Sequence, residues 1–238
     1  MRTGDGLKIR DKSGPDATAD EGWETGMLAI YGSGGFGREL VAPARAALLR
    51  AGRNLAELAF IDDNRPAGDD PHFSAAVPVL RLEDLRDGDE YIVAVGDGRL
   101  RAMLAAKCDR IGLKPFSLFA EDYIEGGEVE IGEGAVFAAR TMVTASAKIG
   151  RQFQCNIYSY VAHDCVIGDF VTFAPSVCCN GNVHVQDYAY VGTGAVLKQG
   201  TADKPLVIGA GAIVGMGAVV TKDVEPGAVV VGNPAMPR

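Results

Sequence analysis

An apolar residue recurs at every sixth position over twelve consecutive steps of this 238-residue chain. An α-helix repeats about every 3.6 residues and a strand about every 2, so neither holds one side chain on one face at a spacing of six. A three-sided coil of short, flat strands does, and such a period indicates a solenoid. The twelve positions are Ile131, Phe137, Val143, Ile149, Cys155, Val161, Ile167, Phe173, Cys179, Val185, Val191 and Leu197.

The repeat is interrupted once, when it slips by five residues across positions 201–205 after Leu197. An insertion of this kind at a corner predicts an outward loop that leaves the inside of the coil unchanged. The rhythm then resumes, and fifteen steps at three per coil predict about five stacked coils with a continuous core. The three further positions are Ile208, Val214 and Val220.

Small residues accompany the repeat. One often lies two positions before a step, as at Ala135 and Ala147, and glycine often follows a step, as at Gly132, Gly150 and Gly168. We interpret these glycines as the sites where the backbone bends at a corner. The pattern resembles the hexapeptide repeat of the left-handed parallel β-helix. That resemblance implies the hand, because the usual crossover rule favours the opposite one.

A different pattern precedes the repeat. An apolar strand, Leu28–Tyr31, leads into a glycine-rich turn at residues 32–37, and a helical pattern follows over residues 38–49. Glycines let the backbone approach an anion, and a helix N-terminus presents unpaired N–H groups to it. The strand, turn and helix therefore predict a site for a phosphate group. Pro43 predicts a kink or a restart of that helix.

Two further strands end in glycine or aspartate. Leu58–Ile61 is followed by Asp62 and Asp63, which either accept hydrogen bonds from a ribose or base or form a solvated turn. The apolar run at residues 91–95 is followed by Gly96, and a helix is predicted over residues 99–111. The carboxyl ends of such strands converge on the edge where open α/β sheets bind ligands. Only about ninety residues, 27–118, are available for this domain, which favours a mononucleotide or nucleotide sugar over NAD.

These patterns predict three segments. We expect a flexible N-terminal tail at residues 1–26, a Rossmann-like nucleotide-sugar-binding domain at residues 27–118, and a β-helix domain with a C-terminal extension at residues 119–238. The overall fold class is an α/β domain followed by a left-handed parallel β-helix.

Composition narrows the classes of function. A net charge of −8 without a local cluster of Lys and Arg argues against a nucleic-acid surface. The sequence shows no apolar run near eighteen residues and no signal peptide, so we expect a cytoplasmic protein that does not bind membranes. The five cysteines lack paired spacing. We expect Cys155, Cys165 and Cys179 to point into the coil as small apolar groups.

The repeat region contains two of the three histidines. His163 lies two residues after the inward Val161, so we expect its side chain to point outward near a corner, and Asp164 follows it. An imidazole beside a carboxylate is suited to general-base catalysis, because the acid orients the ring and stabilises the cation formed on proton uptake. From spacing alone, a solvated surface histidine is the alternative. His184 precedes the inward Val185 and is interpreted as a surface residue.

Taken together and in order, several motifs resemble one family. They are the turn at residues 32–37, Asp62-Asp63, Val95-Gly96-Asp97, Asn156, His163-Asp164, the hexapeptide repeats and the terminal Gly232-Asn233-Pro234-Ala235. Over residues 27–235 the chain looks like the nucleotide-sugar acetyltransferases of the bacillosamine, perosamine and sialic-acid (NeuD-like) group. The resemblance implies a small domain that binds a nucleotide-linked amino sugar, a homotrimer of coils, acetyl-CoA in the groove between neighbouring coils, and no metal.

The resemblance also implies roles for single residues. Catalysis is assigned to His163, Asp164 and Asn156, acetyl-CoA binding to Thr172, Thr193 and Met216, and nucleotide-sugar binding to Gly34, Gly35, Phe36, Asp62, Asp63 and Gly96.

The activity implied is acetyl transfer from acetyl-CoA to the 4-amino group of a nucleotide-linked 4-amino-4,6-dideoxy sugar, by direct attack with His163 as base. Alternatives are sugar O-acetylation of the sialic-acid type and a non-catalytic nucleotide-sugar-binding trimer. A metal-dependent hydratase resembling γ-class carbonic anhydrases would need three imidazole ligands, and His72 belongs to the other domain.

Overall fold

The computed structural model describes residues 26–64, 77–201 and 203–238. The expected tail, apart from its last residue, and His72 lie outside the described residues. The described chain contains an α/β domain followed by a three-sided parallel β-helix.

A five-stranded parallel sheet forms the centre of the α/β domain, with strand order β3-β2-β1-β4-β5. All four residues of β1 and of β2 are buried, because helices cover both faces of the sheet. The predicted first two strands are confirmed, whereas the third ends at Val93, two residues earlier than predicted. The strands are β1 Leu28–Tyr31, β2 Leu58–Ile61, β3 Val79–Leu80, β4 Glu90–Val93 and β5 Lys114–Pro115.

Two helices, α1 Gly35–Arg50 and α2 Gly98–Arg110, cover this sheet. The residues of α1 that pack on one face include Leu40 and Leu48, and those of α2 on the other include Leu104. Pro43 lies inside α1, which remains a single helix from end to end, so the predicted restart is wrong. Helix α2 begins where Asp97 accepts a hydrogen bond from the Leu100 N–H.

In the part of the chain that the structure describes, nineteen short strands form the β-helix, and all except the last, β24, pair in parallel with a strand one coil away. Face one contains β7 Ile124–Gly127, β10 Met142–Ala145, β13 Tyr160–Val161, β16 Cys178–Cys179, β19 Val196–Leu197 and β22 Val219–Val220. Face two contains β8 Glu130–Ile131, β11 Lys148–Ile149, β14 Val166–Ile167, β17 Val183–Val185 and β20 Leu206–Ile208. Face three contains β6 Leu118–Phe119, β9 Val136–Phe137, β12 Gln154–Cys155, β15 Thr172–Phe173, β18 Tyr190–Val191, β21 Ile213–Val214, β23 Val229–Val231 and the antiparallel β24 Met236–Pro237.

The register confirms the predicted coil and its insertion. Val166 pairs with His184, eighteen residues later, whereas His184 pairs with Val207, twenty-three residues later. The five extra residues therefore leave the strand ladder intact. Of the fifteen inward positions only Ile131, in the first coil, is partly exposed, and the others form one continuous core. These parallel sheets are consistent with the left-handed β-helix that the repeat resembles.

The corners depend on residues other than the glycines we expected. A left-handed backbone recurs every sixth residue, at Glu128, Arg140, Ser146, Gln152, Tyr158, Asp164, Phe170, Ser176, Asn182 and Tyr188, with glycine at 134 and 194 in the same series. Each non-glycine residue in this conformation costs about 1 kcal/mol, which the hydrogen-bonded coils on either side offset.

Gly150 and its counterparts are required for a different reason. A Cβ on Gly150 would lie 2.5 Å from the Gly168 carbonyl carbon and 2.7 Å from the Asp169 nitrogen of the next coil. These glycines therefore permit close stacking of coils, and our interpretation of them as bends was wrong.

The strand β6 lies across the domain boundary that we expected at residues 118 and 119, and it pairs with β9 of the β-helix. No helix in the described part of the chain is long and apolar enough to span a membrane.

Candidate active site

The glycine turn forms a tight connection between β1 and α1. The Gly32 N–H donates to the Ile61 carbonyl at 2.8 Å, and Gly32 adopts a φ of 106°, which favours glycine. A Cβ on Gly37 would overlap the Gly32 carbonyl, so a second glycine is needed where the helix packs against the turn. The turn is therefore fixed by backbone contacts.

The start of α1 is open to a ligand. A Cβ at Gly34 would meet nothing within 4 Å, and no side chain caps the helix at this residue. Gly35 is exposed, whereas Phe36 packs partly against the core. Unpaired N–H groups at a helix N-terminus bind phosphate well. Gly34 and Gly35 thus have the geometry that the sequence predicted for an anion site.

The two aspartates after β2 hold the edge of the sheet together. Asp62 accepts hydrogen bonds from the Ser33 hydroxyl at 2.5 Å and from the Ser33 N–H at 3.2 Å. Asp63 accepts from the Tyr31 hydroxyl at 2.8 Å and from Lys107 Nζ at 2.9 Å. The hydrogen bond from Lys107 lowers the pKa of Asp63, and burial, followed by the bond to Asp63, raises the pKa of Tyr31. Neither aspartate belongs to a merely solvated turn.

A buried arginine joins the two domains. Arg101, on α2, has no exposed surface. Its guanidinium donates to the Val95 carbonyl of the α/β domain at 2.7 Å, and to the Gln152 carbonyl at 3.0 Å and Gln154 Oε1 at 3.1 Å of the β-helix. Burial lowers the pKa of Arg101 to about 9, so the group keeps its charge at neutral pH. Sequence reasoning missed this residue.

Thr172 belongs to the same junction. Its hydroxyl accepts from Arg101 Nη1 at 2.9 Å and donates to the Gly96 carbonyl at 2.7 Å, and its side chain is buried. The hydroxyl therefore both donates and accepts inside the protein and links the two domains, and the expected contact with acetyl-CoA stays a prediction. Gly96 itself still faces open space on the side where a Cβ would lie.

The expected acid–base pair lies at the corner between faces one and two. His163 Nδ1 is 2.7 Å from Asp164 Oδ2, and the side chains are 50% and 61% exposed. Asp164 is one of the left-handed corner residues, with a φ of 59°. When Nδ1 carries the proton that it shares with Asp164, Nε2 keeps a lone pair and can accept a proton from a substrate.

Three other expected residues lie at the neighbouring corner, between faces three and one. Asn156 follows β12 on the coil of His163, and its amide nitrogen donates to the Phe173 carbonyl at 2.7 Å. Thr193 and Met216 follow β18 and β21 on later coils, and both are exposed. Within this chain, Thr193 and Met216 therefore lie at a different corner from His163.

The three cysteines predicted to point into the coil, Cys155, Cys165 and Cys179, are buried in its core. Cys165 is buried, with its sulphur 3.9 Å from that of Cys179. Burial also raises the pKa of Cys155. Cys165 therefore offers no exposed nucleophile beside His163. Among the described residues, no group of three His, Cys, Asp or Glu side chains could hold a metal ion.

Comparison with known proteins bears on both domains. Residues 27–108 match the PglD N-terminal domain family. GDP-perosamine N-acetyltransferase from Escherichia coli O157:H7 is 38% identical over 209 residues, which cover 88% of this chain and 95% of that protein.

Two solved structures extend the similarity. The acetyltransferase domain of PglB from Neisseria gonorrhoeae, in complex with acetyl coenzyme A, is 30% identical with a TM-score of 0.75, covering 89% of this chain and 98% of that one. A histidine variant of perosamine N-acetyltransferase from Caulobacter crescentus, in complex with CoA and GDP-perosamine, is 27% identical with a TM-score of 0.75, covering 90% and 97%.

The fold and these matches define an acetyltransferase that uses acetyl-CoA and is built from an α/β domain and a β-helix. The chain belongs to the NeuD-like family of nucleotide-sugar acetyltransferases, which includes GDP-perosamine N-acetyltransferase.

Proposed function

We propose that this protein transfers the acetyl group of acetyl-CoA to the 4-amino group of a nucleotide-linked 4-amino-4,6-dideoxy sugar, with His163 as general base. The observation that carries the proposal is the half-exposed His163–Asp164 pair, in which Nδ1 is engaged and Nε2 is free to accept a proton. The relatives that act on or bind GDP-perosamine support a sugar of this class and make GDP-perosamine the first candidate.

The reaction balances without a further reagent. The neutral amine attacks the thioester carbonyl carbon, a C–N bond forms, and the carbonyl electrons move to oxygen. His163 Nε2 takes the proton that the nitrogen loses. The oxyanion then collapses, the C–S bond breaks, and the CoA thiolate leaves and takes up the proton from His163. Asp164 stabilises the imidazolium between these steps, and backbone N–H groups of the coil stabilise the oxyanion.

Direct transfer fits the site better than an acyl-enzyme. Covalent catalysis needs an exposed nucleophile beside the base, and the thiol nearest in sequence, that of Cys165, is buried. The relative from Caulobacter crescentus holds CoA and GDP-perosamine in one complex, which supports a ternary complex here as well. Two bound reactants gain rate from proximity alone.

We assign the nucleotide-sugar site to the carboxyl edge of the α/β sheet. Strands β1 and β4 are neighbours, with Tyr31 paired to Val93, so the turn after β1 and the turn after β4 lie side by side. Gly34 and Gly96 both face open space there. The amides at the start of α1 would bind a phosphate. Asp62 and Asp63 would fix the conformation of this edge of the sheet.

We propose the homotrimer that the family resemblance implies, and we assign its interface to face one because of the outward side chains there. They form an apolar column of Ile124, Met142, Tyr160, Cys178, Val196 and Val219, none of them buried, whereas the outward column of face two includes the charged Glu130 and Lys148. An exposed apolar column of this kind marks an interface. A closed ring joins two different edges of neighbouring protomers, and would bring His163 of one protomer to the Thr193 and Met216 corner of the next.

A charge placed in that column tests the assembly. Met142→Glu should give a smaller particle in analytical ultracentrifugation, because a carboxylate would be buried without a partner. Val166→Glu, on the outward side of face two, is the matched control and should leave the assembly unchanged. An unchanged trimer in the Met142 variant would contradict the assignment of the interface to face one.

The activity is tested by release of free thiol from acetyl-CoA. The panel contains UDP-, dTDP- and GDP-linked 4-amino-4,6-dideoxy sugars, with sialic acid and CMP-sialic acid as hydroxyl acceptors. Turnover with an amino sugar supports the proposal and names the nucleotide. Turnover with hydroxyl acceptors alone would replace it by O-acetylation, and binding of acetyl-CoA and a nucleotide sugar without any turnover would replace it by a non-catalytic role.

A further inference from the structure

We propose that Gly181 is a positioning residue for His163: the missing side chain leaves the space that the imidazole needs to stand beside Asp164. This inference rests on the proposed function only in taking His163 as the base. Gly181 lies eighteen residues after His163, which is one full coil along the β-helix, and so lies directly next to it at the same corner.

The space is limited by the ring itself. A Cβ on Gly181 would lie 2.5 Å from Nε2 and 3.0 Å from Nδ1 of His163, with Cε1 equally crowded. Real Cβ atoms do not approach other heavy atoms as closely as 2.5 Å, so the ring would have to move. The atoms that would be displaced are the nitrogen that holds Asp164 and the nitrogen that accepts the substrate proton.

The backbone around the ring cannot easily yield instead. The His163 carbonyl accepts from the Asn182 N–H at 2.8 Å, and the Gly181 carbonyl accepts from the Gly200 N–H at 3.0 Å. These bonds tie three successive coils together at this corner. The strain of an added methyl group therefore falls on the imidazole and on its 2.7 Å contact with Asp164.

Steric exclusion is the reason for glycine here, and backbone conformation is not. Gly181 is absent from the residues with positive φ, so alanine is compatible with its backbone. Gly127 on face one is the matched control, because it also has no positive φ and a Cβ there would meet nothing within 4 Å. Replacing either residue adds the same methyl group to the same β-helix.

The test is a double-mutant cycle on kcat. Gly181→Ala should lower kcat about 10- to 100-fold, since a displacement of the base of about 1 Å costs up to about 100-fold. Gly127→Ala should keep the wild-type kcat. In the background of His163→Ala the ring is gone, and Gly181→Ala should then leave the residual rate unchanged.

An equal loss from Gly181→Ala with and without the imidazole would overturn the proposal, because the glycine would then act on the substrate or the fold directly. Wild-type kcat in the single variant would overturn it too. Failure of the proposed function is distinguishable from failure of this inference. Wild-type kcat in His163→Ala alone would show that His163 is not the base.

If the residual rate of the His163→Ala variants is too slow to compare, NMR spectroscopy of His163 provides a second test. The His163 Hε1 resonance, assigned by its loss in His163→Ala, should change its chemical shift in Gly181→Ala but not in Gly127→Ala. Identical His163 resonances in all three proteins would contradict the proposal.

Discussion

Arg101, on α2 of the α/β domain, and His163, on the β-helix, are both polar side chains, and they differ in burial and in hydrogen bonding. Arg101 is fully buried and donates to several neutral oxygens of both domains, whereas His163 is half exposed and has one side-chain partner, Asp164. A buried cation that makes several hydrogen bonds fixes geometry, because any movement breaks several of them at once. An exposed base with a free nitrogen can exchange protons. The comparison separates the residues that hold this enzyme together from those that we assign to chemistry.

The largest expected effect on folding is at the junction. Arg101→Met removes a charged donor from Val95, Gln152, Gln154 and Thr172, and leaves oxygens of the β-helix buried without partners. We expect a loss of about 3 kcal/mol in the free energy of unfolding, measured by urea denaturation. Arg101→Lys should recover part of it, because an ammonium group still reaches some of these oxygens. A wild-type midpoint in Arg101→Met would show that the junction is not a structural centre.

A smaller loss is expected where two coils touch. Gly150→Ala would force a methyl group against Gly168 and Asp169 of the next coil. Overpacking of this kind costs about 2 kcal/mol, and thermal unfolding would measure it. Gly127→Ala adds the methyl group in open space and should change the melting temperature little. Equal melting temperatures for the two variants would return these glycines to the role of bends, which the sequence first indicated.

The smallest effect is expected at the exposed edge of the sheet. The folded-state pKa of Asp63 is lowered, chiefly by the hydrogen bond from Lys107. Its contribution to stability is therefore present above the unfolded pKa of about 3.9 and is lost as the pH falls through the lower folded value. Lys107→Gln should cost less than about 1 kcal/mol at pH 7, since the pair is exposed.

The two proteins should converge in stability as the pH falls below about 4. Parallel curves of stability against pH, from urea titrations of both proteins, would contradict this reading of Asp63.

The period of six predicted most of the β-helix. Each inward position is decided by a local choice of an apolar residue, and the five-residue slip marks the loop. The glycine turn and the ends of the first two strands were predicted from equally local patterns. The boundary of β4 was not, because Ala94 and Val95 are apolar and continue the pattern, although the chain there turns towards the buried Arg101.

Two further features of the sequence indicate the roles of Arg101 and Gly181. Arg101 lies three and seven residues before Leu104 and Cys108, on the stripe of α2 that is buried. A basic residue on an apolar stripe needs buried acceptors, which Val95 and Gln154 supply. Gly181 could have been found by adding one coil of eighteen residues to His163. What no local pattern predicts is which outward residue faces the other domain, and the position of Thr172 at the junction was not predicted for that reason.

If catalysis resides in one half-exposed imidazole, the two histidines of the β-helix should respond differently to replacement by alanine. His163→Ala and His184→Ala would be assayed for kcat by thiol release, and for acetyl-CoA binding and particle size. His184 is an outward residue of face two, so its loss should leave kcat unchanged. His163→Ala should lower kcat about 100- to 10,000-fold with binding and assembly preserved. Turnover near that of the wild type in His163→Ala would contradict the account and remove this residue from the mechanism.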